Sequence, residues 1–275
     1  MPVTFQKMHG AGNDFVLLDL REQQFKLDAA TASELADRHT GIGFDQLLVL
    51  RPAASAEHLL RFEVWNADGS RAEQCGNGVR CIGLYLSERR EAPQGEFSIE
   101  GPVAPVYLSA VGNGHYRVNM GVPDFRPEAV PVRLTPENGA YPLPINGEVH
   151  RVFAASVGNP HALLRVPDVT RAPVDELGPL ISRHAAFPQG CNAGFAEVVD
   201  RKQIRLRVFE RGAGETRACG SGACAAAAML IRNGSLDTQV LVKQVGGDLI
   251  IGWTGGTHPI MMTGPARHLY EGTLL

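Results

Sequence analysis

The sequence predicts an α/β (α+β) protein of two similar domains, each with mostly antiparallel strands wrapped around a buried helix. Three observations predict this fold: short apolar runs separated by turn residues, two helices that are apolar on most sides, and an internal repeat. A chain of 275 residues has room for one large domain or two small ones. The repeat favours two.

Short apolar runs bounded by turn residues predominate, and such runs predict strands. They occupy residues 15–20, 46–50, 61–65 and 115–120. The last run follows Asn113-Gly114, a dipeptide typical of tight hairpin turns. The runs and their turn residues together indicate a largely antiparallel sheet.

Helical patterns are fewer, and two of them are unusually apolar. Helices are predicted at 31–39, at 76–90, near 174–182 and at 220–232. The fourth contains ACAAAAMLI, which has no polar face, and the helix that begins at Gly76 is similar. Because a helix that is apolar on most sides is buried in other structure, we expect strands to surround both.

Prolines interrupt the middle of the chain. They lie at positions 123, 127, 131, 136, 142 and 144. Proline breaks a helix and cannot donate a hydrogen bond within a central strand. We therefore interpret residues 121–147 as a crossover between the two domains.

An internal repeat relates the two halves of the chain through their polar residues. The segment QCGNG at 74–78 matches ACGSG at 218–222, an offset of 144 residues, and the same offset sets Asn66 against Glu210. Upstream, GND at 12–14 matches GNP at 158–160, and Gln46 matches Asn192, both at an offset of 146. Two similar domains that face each other would bring both Cys-Gly-x-Gly turns to one cleft.

Composition and charge exclude several classes of protein. Hydrophobic residues make up 44% and charged residues 20% of the chain, and the formal net charge is −3, values typical of a soluble globular protein without a polyanionic partner. The longest charge-free apolar run, 218–231, is too short to span a bilayer, and the amino terminus has no secretory pattern. We expect a cytoplasmic protein that binds neither nucleic acid nor membrane.

Five cysteines, an odd number without a secretory signal, predict free thiols rather than disulfides. For Cys81, Cys191 and Cys224 a packing role is the better interpretation, since free cysteine is usually a small buried side chain. For Cys75 and Cys219 the duplicated context favours chemistry. The intervals from Cys75 to Cys81 and from Cys219 to Cys224 depart from those usual in zinc sites, so no metal is expected.

The two repeated cysteines suit proton transfer. Each directly precedes a predicted helix, where unpaired N–H groups and the helix dipole favour the thiolate, so we expect a cysteine pKa below the usual value of about 8.5. The glycines after each cysteine let a carboxylate approach the helix ends. A thiolate on one face of an α-carbon and a thiol on the other would then invert it without a cofactor.

Five motifs resemble those of the diaminopimelate epimerases of bacterial lysine and cell-wall synthesis, and they follow the family's order along the whole chain. They are KMHGAGNDF at 7–15, GFDQLL at 43–48, NADGSRAEQCGNGVRC at 66–81, GNPH at 158–161 and ERGAGETRACGSGAC at 210–224. The resemblance implies two domains of pseudo-twofold symmetry, each a curved, mostly antiparallel sheet or barrel around a central helix. It implies domains at 1–120 plus 265–275 and at 121–264.

The resemblance also implies roles for individual residues. Cys75 and Cys219 would be the catalytic thiols, and His161 and Glu210 would tune them or meet the reacting ammonium. Substrate contacts would come from Asn13, Gln46, Asn66, Gly76, Asn77, Asn159, Asn192, Glu210, Arg211, Gly220 and Ser221. The substrate would be a small diamino diacid, no cofactor would be needed, and the protein would be a homodimer with Tyr270 as a contact.

Other interpretations stay open at this point. Asn13 and Asn66 stand in turns where asparagine is common, Glu210 and Arg211 could be a surface pair, and His161 could be a hydrogen-bonded turn residue. Proline and hydroxyproline racemases resemble this family in using two cysteines. We expect Arg211 to be buried and to pair with a distal carboxylate, which a small cyclic substrate lacks. A redox or zinc-binding module, or a binding protein without catalysis, are the alternatives from other classes. His9, His39, His184 and Asp45 are interpreted as capping or hydrogen-bonding residues.

Overall fold

Apolar runs form strands through most of the chain, in a computed structural model that describes residues 2–72 and 75–274. In the amino-terminal part the strands are β1 (Val3–Gly10), β2 (Asn13–Asp19), β3 (Gln46–Arg51), β4 (Arg61–Asn66), β5 (Arg71–Ala72), β6 (Glu96–Glu100), β7 (Pro105–Gly112) and β8 (His115–Asn119). Those that follow are β9 (Tyr141–Ile145), β10 (Glu148–Ser156), β11 (Pro160–Arg165), β12 (Asn192–Asp200), β13 (Gln203–Glu210), β14 (Gly214–Thr216), β15 (Gln239–Gln244), β16 (Gly247–Gly252), β17 (Met261–Pro265) and β18 (Arg267–Leu274).

Helices occupy the four predicted places. They are α1 (Ala29–Ala36), α2 (Gly76–Glu88), α3 (Val174–Ser182) and α4 (Gly220–Arg232), with a short 3-10 helix at Val169–Arg171. None of the helices in the described part of the chain is long and apolar enough to cross a membrane. The fold is a mixed α/β structure of mostly sheet with few helices, as the sequence predicts.

The chain divides into two compact units. The first comprises Met1–Asn119 and Thr263–Leu275, and the second comprises Met120–Met262. In the first unit β1 is antiparallel to β18 and β2, β2 is parallel to β3, and β4 is antiparallel to β3 and β5. The strand β6 is parallel to β4, and β7 is antiparallel to β6 and β8.

The second unit repeats these strand directions. There β10 is antiparallel to β9 and β11, β11 is parallel to β12, β13 is antiparallel to β12 and β14, and β15 is parallel to β13 and antiparallel to β16. The register repeats as well, since Leu47 lies opposite Trp65 in the first unit and Ala193 lies opposite Phe209 in the second. The repeat predicted from polar residues is therefore confirmed in the backbone.

Each unit wraps its strands around one helix, as the apolar sequences of α2 and α4 predict. The helix α2 packs against β1, β2, β7, β8 and β18, and α4 packs against β10, β11, β12, β15 and β16. Residues Ala225 to Ala228 of α4 are at most 1% exposed. Their small side chains let the surrounding strands approach α4 closely. Because each helix packs against strands of its own unit, that unit also sets the position of the helix N-terminus.

The proline-rich stretch 121–147 is not a crossover, contrary to the sequence interpretation. It lies within the second unit, where Tyr141 and Leu143 belong to a buried apolar cluster. Pro142 and Pro144 alternate with these residues in β9, which pairs with β10. A strand tolerates proline where the nitrogen faces away from its hydrogen-bonded partner, so prolines at alternating positions do not exclude a strand.

Candidate functional site

Cys75 caps the helix α2. Its backbone is extended (φ −146°, ψ 95°), and its Sγ accepts a hydrogen bond from the N–H of Gly78 at 3.4 Å. A cap satisfies one of the N–H groups that the first helical turn leaves without an acceptor. Sulfur does this here, so the thiol lies at the positive end of the helix dipole. The preceding Glu73 and Gln74 of the repeat motif lie outside the described residues.

The side chain of Asn13 connects Cys75 to the first turn of α2. Its Oδ1 accepts a hydrogen bond from Asn77 Nδ2 at 3.3 Å and one from Cys75 Sγ at 3.9 Å. Asn13 begins β2, directly after a two-residue turn in which Ala11 and Gly12 both have positive φ. The turn thus sets the position of the amide beside the thiol.

Gln46 and Asn66 form a second amide pair in the same unit. They lie opposite each other on β3 and β4, and Gln46 Nε2 donates to Asn66 Oδ1 at 2.9 Å. Asn66 Nδ2 donates in turn to Ser70 Oγ at 3.0 Å. Antiparallel pairing therefore joins two of the predicted substrate contacts, which are 20 residues apart in sequence.

Charged side chains lie beside Asn13. Lys7 Nζ donates to Asp14 at 2.5 Å, and Arg38 donates to Asp14 at 2.7 Å and to Asp45 at 2.8 Å. Burial alone would raise the pKa of Asp14, but hydrogen bonds from Arg38 and Lys7 outweigh it and hold that pKa at about 2. Asp45 accepts a hydrogen bond from Asn13 Nδ2 at 2.9 Å. Its hydrogen-bonding role is the one the sequence predicted.

Cys219 occupies the equivalent position at α4. Its backbone is again extended (φ −119°, ψ 110°), and its Sγ accepts a hydrogen bond from the N–H of Gly222 at 3.3 Å. Ser221 Oγ lies 3.5 Å from the same sulfur. Cys219 is only 5% exposed, whereas Cys75 is half-buried. The two caps therefore share a geometry and differ in their access to water.

The electrostatic surroundings of Cys219 contradict one sequence prediction. Burial, and then the charge of Glu210, raise the pKa of Cys219 well above its ordinary value. A hydrogen bond with Glu210 acts in the same direction, and hydrogen bonds from Ser221 and from the N–H of Gly222 oppose it. The lowered pKa expected at a helix end is wrong for Cys219, because lost hydration outweighs the helix terminus. This cysteine is a thiol near neutral pH.

Glu210 is held in place from a neighbouring strand. It ends β13, and the hydroxyl of Thr216 on β14 donates a short hydrogen bond to its Oε1. The antiparallel pairing of these strands brings the two residues together. Glu210 is therefore fixed where its charge acts on the pKa of Cys219.

His161 is the buried centre of a separate polar group. Its Nε2 lies 2.8 Å from Asn159 Oδ1 and 3.5 Å from Asn192 Nδ2, and parallel pairing of β11 with β12 sets His161 beside Asn192. Burial, assisted by the charge of Arg211, lowers the pKa of His161 to about 3. The ring is neutral near pH 7, and its short contact with a carbonyl oxygen assigns the proton to Nε2. With the proton on Nε2, His161 donates to Asn159 Oδ1, and the 3.5 Å approach of Asn192 Nδ2 is a packing contact rather than a hydrogen bond.

Arg211 is exposed, so the expectation of a buried arginine is wrong. Its backbone N–H donates to Asn192 Oδ1 at 2.8 Å, and its Nη1 donates to the carbonyl of Gln189 at 2.6 Å. It lines an open cavity of about 470 Å³ together with Ser182, Phe187 and Phe209. The guanidinium keeps N–H groups for a ligand, but its burial cannot be used to exclude a small cyclic substrate.

The other cysteines have the packing roles that the sequence predicts. Cys81, Cys191 and Cys224 are completely buried. Burial raises the pKa of Cys81 and of Cys191 to about 12, which keeps both protonated. Tyr270, the predicted dimer contact, is 49% exposed on β18, and its ring packs edge-on against Phe5 with centroids 6.3 Å apart.

Sequence reasoning missed three residues that contact the predicted site. Thr216 holds Glu210, Gln244 accepts from the backbone N–H of Cys219 at 2.8 Å, and Arg80 donates to Asn77 Oδ1 at 2.9 Å. Arg80 had a detectable signal, because a charged residue inside an otherwise apolar helix must find polar partners. The other two carried no such signal.

Comparison with known proteins gives a consistent result. A family model described as diaminopimelate epimerase matches residues 5–126 and 153–269. The diaminopimelate epimerase of Stutzerimonas stutzeri is 46% identical over 272 residues, which cover 99% of each chain. That of Chromobacterium violaceum is 47% identical over 277 residues, which cover 100% of this chain and 99% of its own.

Solved structures share the fold at much lower identity. A hydroxyproline epimerase from Agrobacterium vitis has a TM-score of 0.73 and 15% identity, with 99% of this chain and 92% of its own covered. A phenazine biosynthesis protein from Bacillus anthracis has a TM-score of 0.72 and 15% identity, with 100% and 99% covered. At such identities the likeness concerns the fold alone.

Proposed function

Because this chain belongs to the diaminopimelate epimerase family, it is an amino-acid epimerase, and we propose that it interconverts LL- and meso-diaminopimelate through Cys75 and Cys219. One cysteine, as thiolate, takes the α-proton, and the electron pair of the C–H bond stays on the α-carbon. The other cysteine, as thiol, gives a proton to the opposite face. The two cysteines exchange protonation states, so the balance needs no cofactor.

The observation that carries this proposal is the duplicated cysteine cap. In both units Sγ accepts a hydrogen bond from the third N–H of a helix, at 3.4 Å and 3.3 Å. A packing role gives no reason for sulfur to cap two helices at equivalent positions of a repeat. A role for both thiols in one reaction does, because inversion needs a base and an acid of the same kind.

The helix ends supply a binding site for the reacting carboxylate. Since Sγ occupies the third N–H of each helix, the first two remain for a ligand. They belong to Gly76 and Asn77 on α2 and to Gly220 and Ser221 on α4. Backbone N–H groups at a helix start bind anions and stabilise the charge that develops beside the α-carbon.

Two further polar groups suit the ammonium and the distal end of a diamino diacid. In the first unit they are Asn13, Gln46 and Asn66, and in the second they are Asn159, Asn192, Glu210 and Arg211. Amides both donate and accept, so they can bind ammonium and carboxylate groups together. Arg211 can pair with a distal carboxylate through two parallel hydrogen bonds. His161 is neutral and donates a hydrogen bond to Asn159.

The assembly proposed is a cytoplasmic homodimer. Leu269 and Tyr270 are adjacent on β18, so they lie on opposite faces of the strand, yet they are 53% and 49% exposed. A strand that exposes an apolar side chain on each face suits contact with a second copy. Light scattering should show a dimer that Tyr270→Ala weakens, while Tyr107→Ala, which removes a tyrosine 45% exposed on β7, leaves it intact.

The test is proton exchange on LL-diaminopimelate in deuterium oxide. We expect wild type to incorporate α-deuterium and form the meso isomer, and Cys75→Ala and Cys219→Ala each to lose about 100- to 10,000-fold in epimerisation. The chain offers matched controls, because Cys81 and Cys224 lie further along the same helices. Cys81→Ala and Cys224→Ala should retain activity.

Each outcome decides between named alternatives. Loss of epimerisation in both cysteine variants but in neither control supports the two-base mechanism. Exchange on hydroxyproline and none on diaminopimelate would move the assignment to the related racemases. Wild-type protein that is inactive on both substrates would return Cys75 and Cys219 to a packing role.

A further inference from the structure

Four side chains of the first unit form a hydrogen-bonded chain beside Cys75. Arg80 Nη2 donates to Asn77 Oδ1 at 2.9 Å, and Asn77 Nδ2 donates to Asn13 Oδ1 at 3.3 Å. Asn13 Nδ2 donates to Asp45 Oδ2 at 2.9 Å. The donors all run in one direction, from the cation to the anion.

The charged ends impose this direction. A guanidinium can only donate, so the group of Asn77 that meets Arg80 must be its oxygen. An ionised carboxylate can only accept, so the group of Asn13 that meets Asp45 must be its nitrogen. A neutral amide in the place of either charged group could rotate by half a turn and reverse the order.

The partners of the two ends keep them in place. Arg80 is completely buried and also donates from Nε to the carbonyl of Pro265 at 3.2 Å. The other oxygen of Asp45 accepts from Arg38 at 2.8 Å, and Asp45 Oδ2 also accepts from the backbone N–H of Asp14 at 3.1 Å. Neither end is free to turn away from the amides.

We propose that Asp45 and Arg80 are positioning residues that fix which end of the Asn13 amide faces Cys75. They keep Asn13 Oδ1 toward the thiol and Asn13 Nδ2 away from it. The oxygen accepts from the Cys75 thiol when that group is protonated, at the 3.9 Å now observed. When Cys75 is a thiolate, the same oxygen is open to an N–H donor.

The consequence for the substrate rests on the proposed function. The donor that arrives beside Cys75 is the ammonium on the reacting α-carbon, and a carbonyl oxygen attracts it. A rotated amide would present N–H groups to the ammonium and repel it. Asp45 and Arg80 thus select a cationic α-amino group through Asn13, without touching the substrate themselves.

The experiment compares two matched carboxylate–arginine pairs. Asp45 pairs with Arg38 at 2.8 Å, with side chains 46% and 55% exposed, and Asp237 pairs with Arg201 at 2.7 Å, with side chains 37% and 62% exposed. Asp45→Asn should lower kcat/KM for LL-diaminopimelate by about 10- to 100-fold, the value of a hydrogen bond to a charged group. Asp237→Asn removes a similar pair and should stay within about twofold of wild type.

Two further measurements separate positioning from a structural effect. Asp45→Glu keeps an acceptor-only group and should recover most of the lost kcat/KM. Both kcat and KM should return toward their wild-type values. In protein labelled with ¹⁵N-asparagine, the side-chain N–H₂ resonance of Asn13 should move in Asp45→Asn and return in Asp45→Glu. The melting temperature of Asp45→Asn should match that of Asp237→Asn.

The experiments distinguish failure of the positioning role from failure of the proposed epimerase function. Equal activity of Asp45→Asn and Asp237→Asn, or an Asn13 resonance that does not move, would overturn the positioning role. Failure of Asp45→Glu to recover activity would overturn it too, because packing rather than acceptor chemistry would then be needed. If wild type lacks epimerase activity, the proposed function fails while the resonance still tests the orientation of Asn13.

Discussion

The two cysteine caps share one backbone frame and differ in what surrounds the sulfur. Cys75 is half-buried, and its neighbour is the amide oxygen of Asn13. Cys219 is 5% exposed, and its neighbours are the carboxylate of Glu210 and the hydroxyl of Ser221. The repeat therefore fixes where each thiol lies, and a few substitutions set the charge around it.

The difference follows the repeat residue by residue. At the offset of 144, Asn66 matches Glu210, so a neutral amide in the first unit becomes a carboxylate in the second. At the offset of 146, the buried Phe15 matches the buried His161. Both changes place titratable groups in the second unit only. A symmetric frame thus holds two thiols in chemically different surroundings, one beside an amide and the other beside a carboxylate.

Removing the carboxylate beside Cys219 should have the largest effect. Because the charge of Glu210 adds to burial in raising the pKa of Cys219, Glu210→Gln should lower that pKa toward its ordinary value. The midpoint of Cys219 alkylation by iodoacetamide, followed by peptide mass spectrometry, should move to lower pH. Epimerase activity should fall by about 100-fold, a typical value for groups in acid–base catalysis.

Glu215, which lies on the neighbouring strand β14, provides the control for this experiment. Glu215 pairs with Arg207 at 2.6 Å. Glu215→Gln should leave the alkylation midpoint of Cys219 unchanged. An unchanged midpoint in Glu210→Gln as well would mean that burial alone holds the proton on Cys219, and the contrast between the two caps would then reduce to exposure.

Replacing His161 by phenylalanine, the residue at the matching position of the first unit, should make the stability of the protein less sensitive to acid. The pKa of His161 is about 3 in the folded protein and 6.5 when unfolded, so between pH 6.5 and pH 3 the unfolded chain takes the proton and the folded protein does not. His161 therefore contributes stability above pH 6.5 that is lost as the pH falls toward 3. Between pH 7 and pH 5 this loss is about 2 kcal/mol.

The variant His161→Phe carries the residue found at the matching position 15 and removes the pH dependence of stability that His161 causes. At pH 7 it should be less stable than wild type, because Asn159 Oδ1 loses its buried hydrogen-bond donor. The difference between wild type and His161→Phe in free energy of unfolding by urea should be about 2 kcal/mol smaller at pH 5 than at pH 7. A gap that stays constant between the two pH values would show that the folded protein takes up the proton, and that His161 is not held neutral.

The sequence was sufficient for the features that repeat locally. Apolar periodicity located several strands and all four helices, and the offset between matching polar residues located both cysteine caps. These features depend on residues close in sequence or on direct duplication. They also decided which cysteines pack and which cap helices.

Other features depend on contacts between distant elements, which no local pattern encodes. The hydrogen bonds from Asn13 to Asp45 and from Thr216 to Glu210 arise only when separate strands and loops come together. The pKa of Cys219 was mispredicted because the helix end is visible in the sequence, whereas the depth of burial is not. Arg211 was expected to be buried for the same reason.

The smallest expected effect compares the glycines that donate to the two sulfurs. A Cβ at Gly78 would lie 2.7 Å from Leu48 Cδ2, which is completely buried, whereas a Cβ at Gly222 would lie 3.0 Å from Val208 Cγ2 and 3.2 Å from Cys219 Sγ. Alanine in a helix gains about 1 kcal/mol over glycine, and overpacking costs about 1–3 kcal/mol. Gly78→Ala should therefore destabilise the protein by about 1 kcal/mol in urea unfolding, and Gly222→Ala by less.

The same pair of variants separates packing from chemistry. Gly222→Ala presses on the sulfur itself, so it should reduce epimerase activity more than its small change in stability accounts for. Gly78→Ala presses on Leu48 and leaves the sulfur clear, so its activity should follow its stability. If both variants lost activity only in proportion to stability, catalysis would tolerate a shift of Cys219 Sγ by a few tenths of an ångström. The cap would then place this thiol near the reacting carbon without fixing its exact orientation.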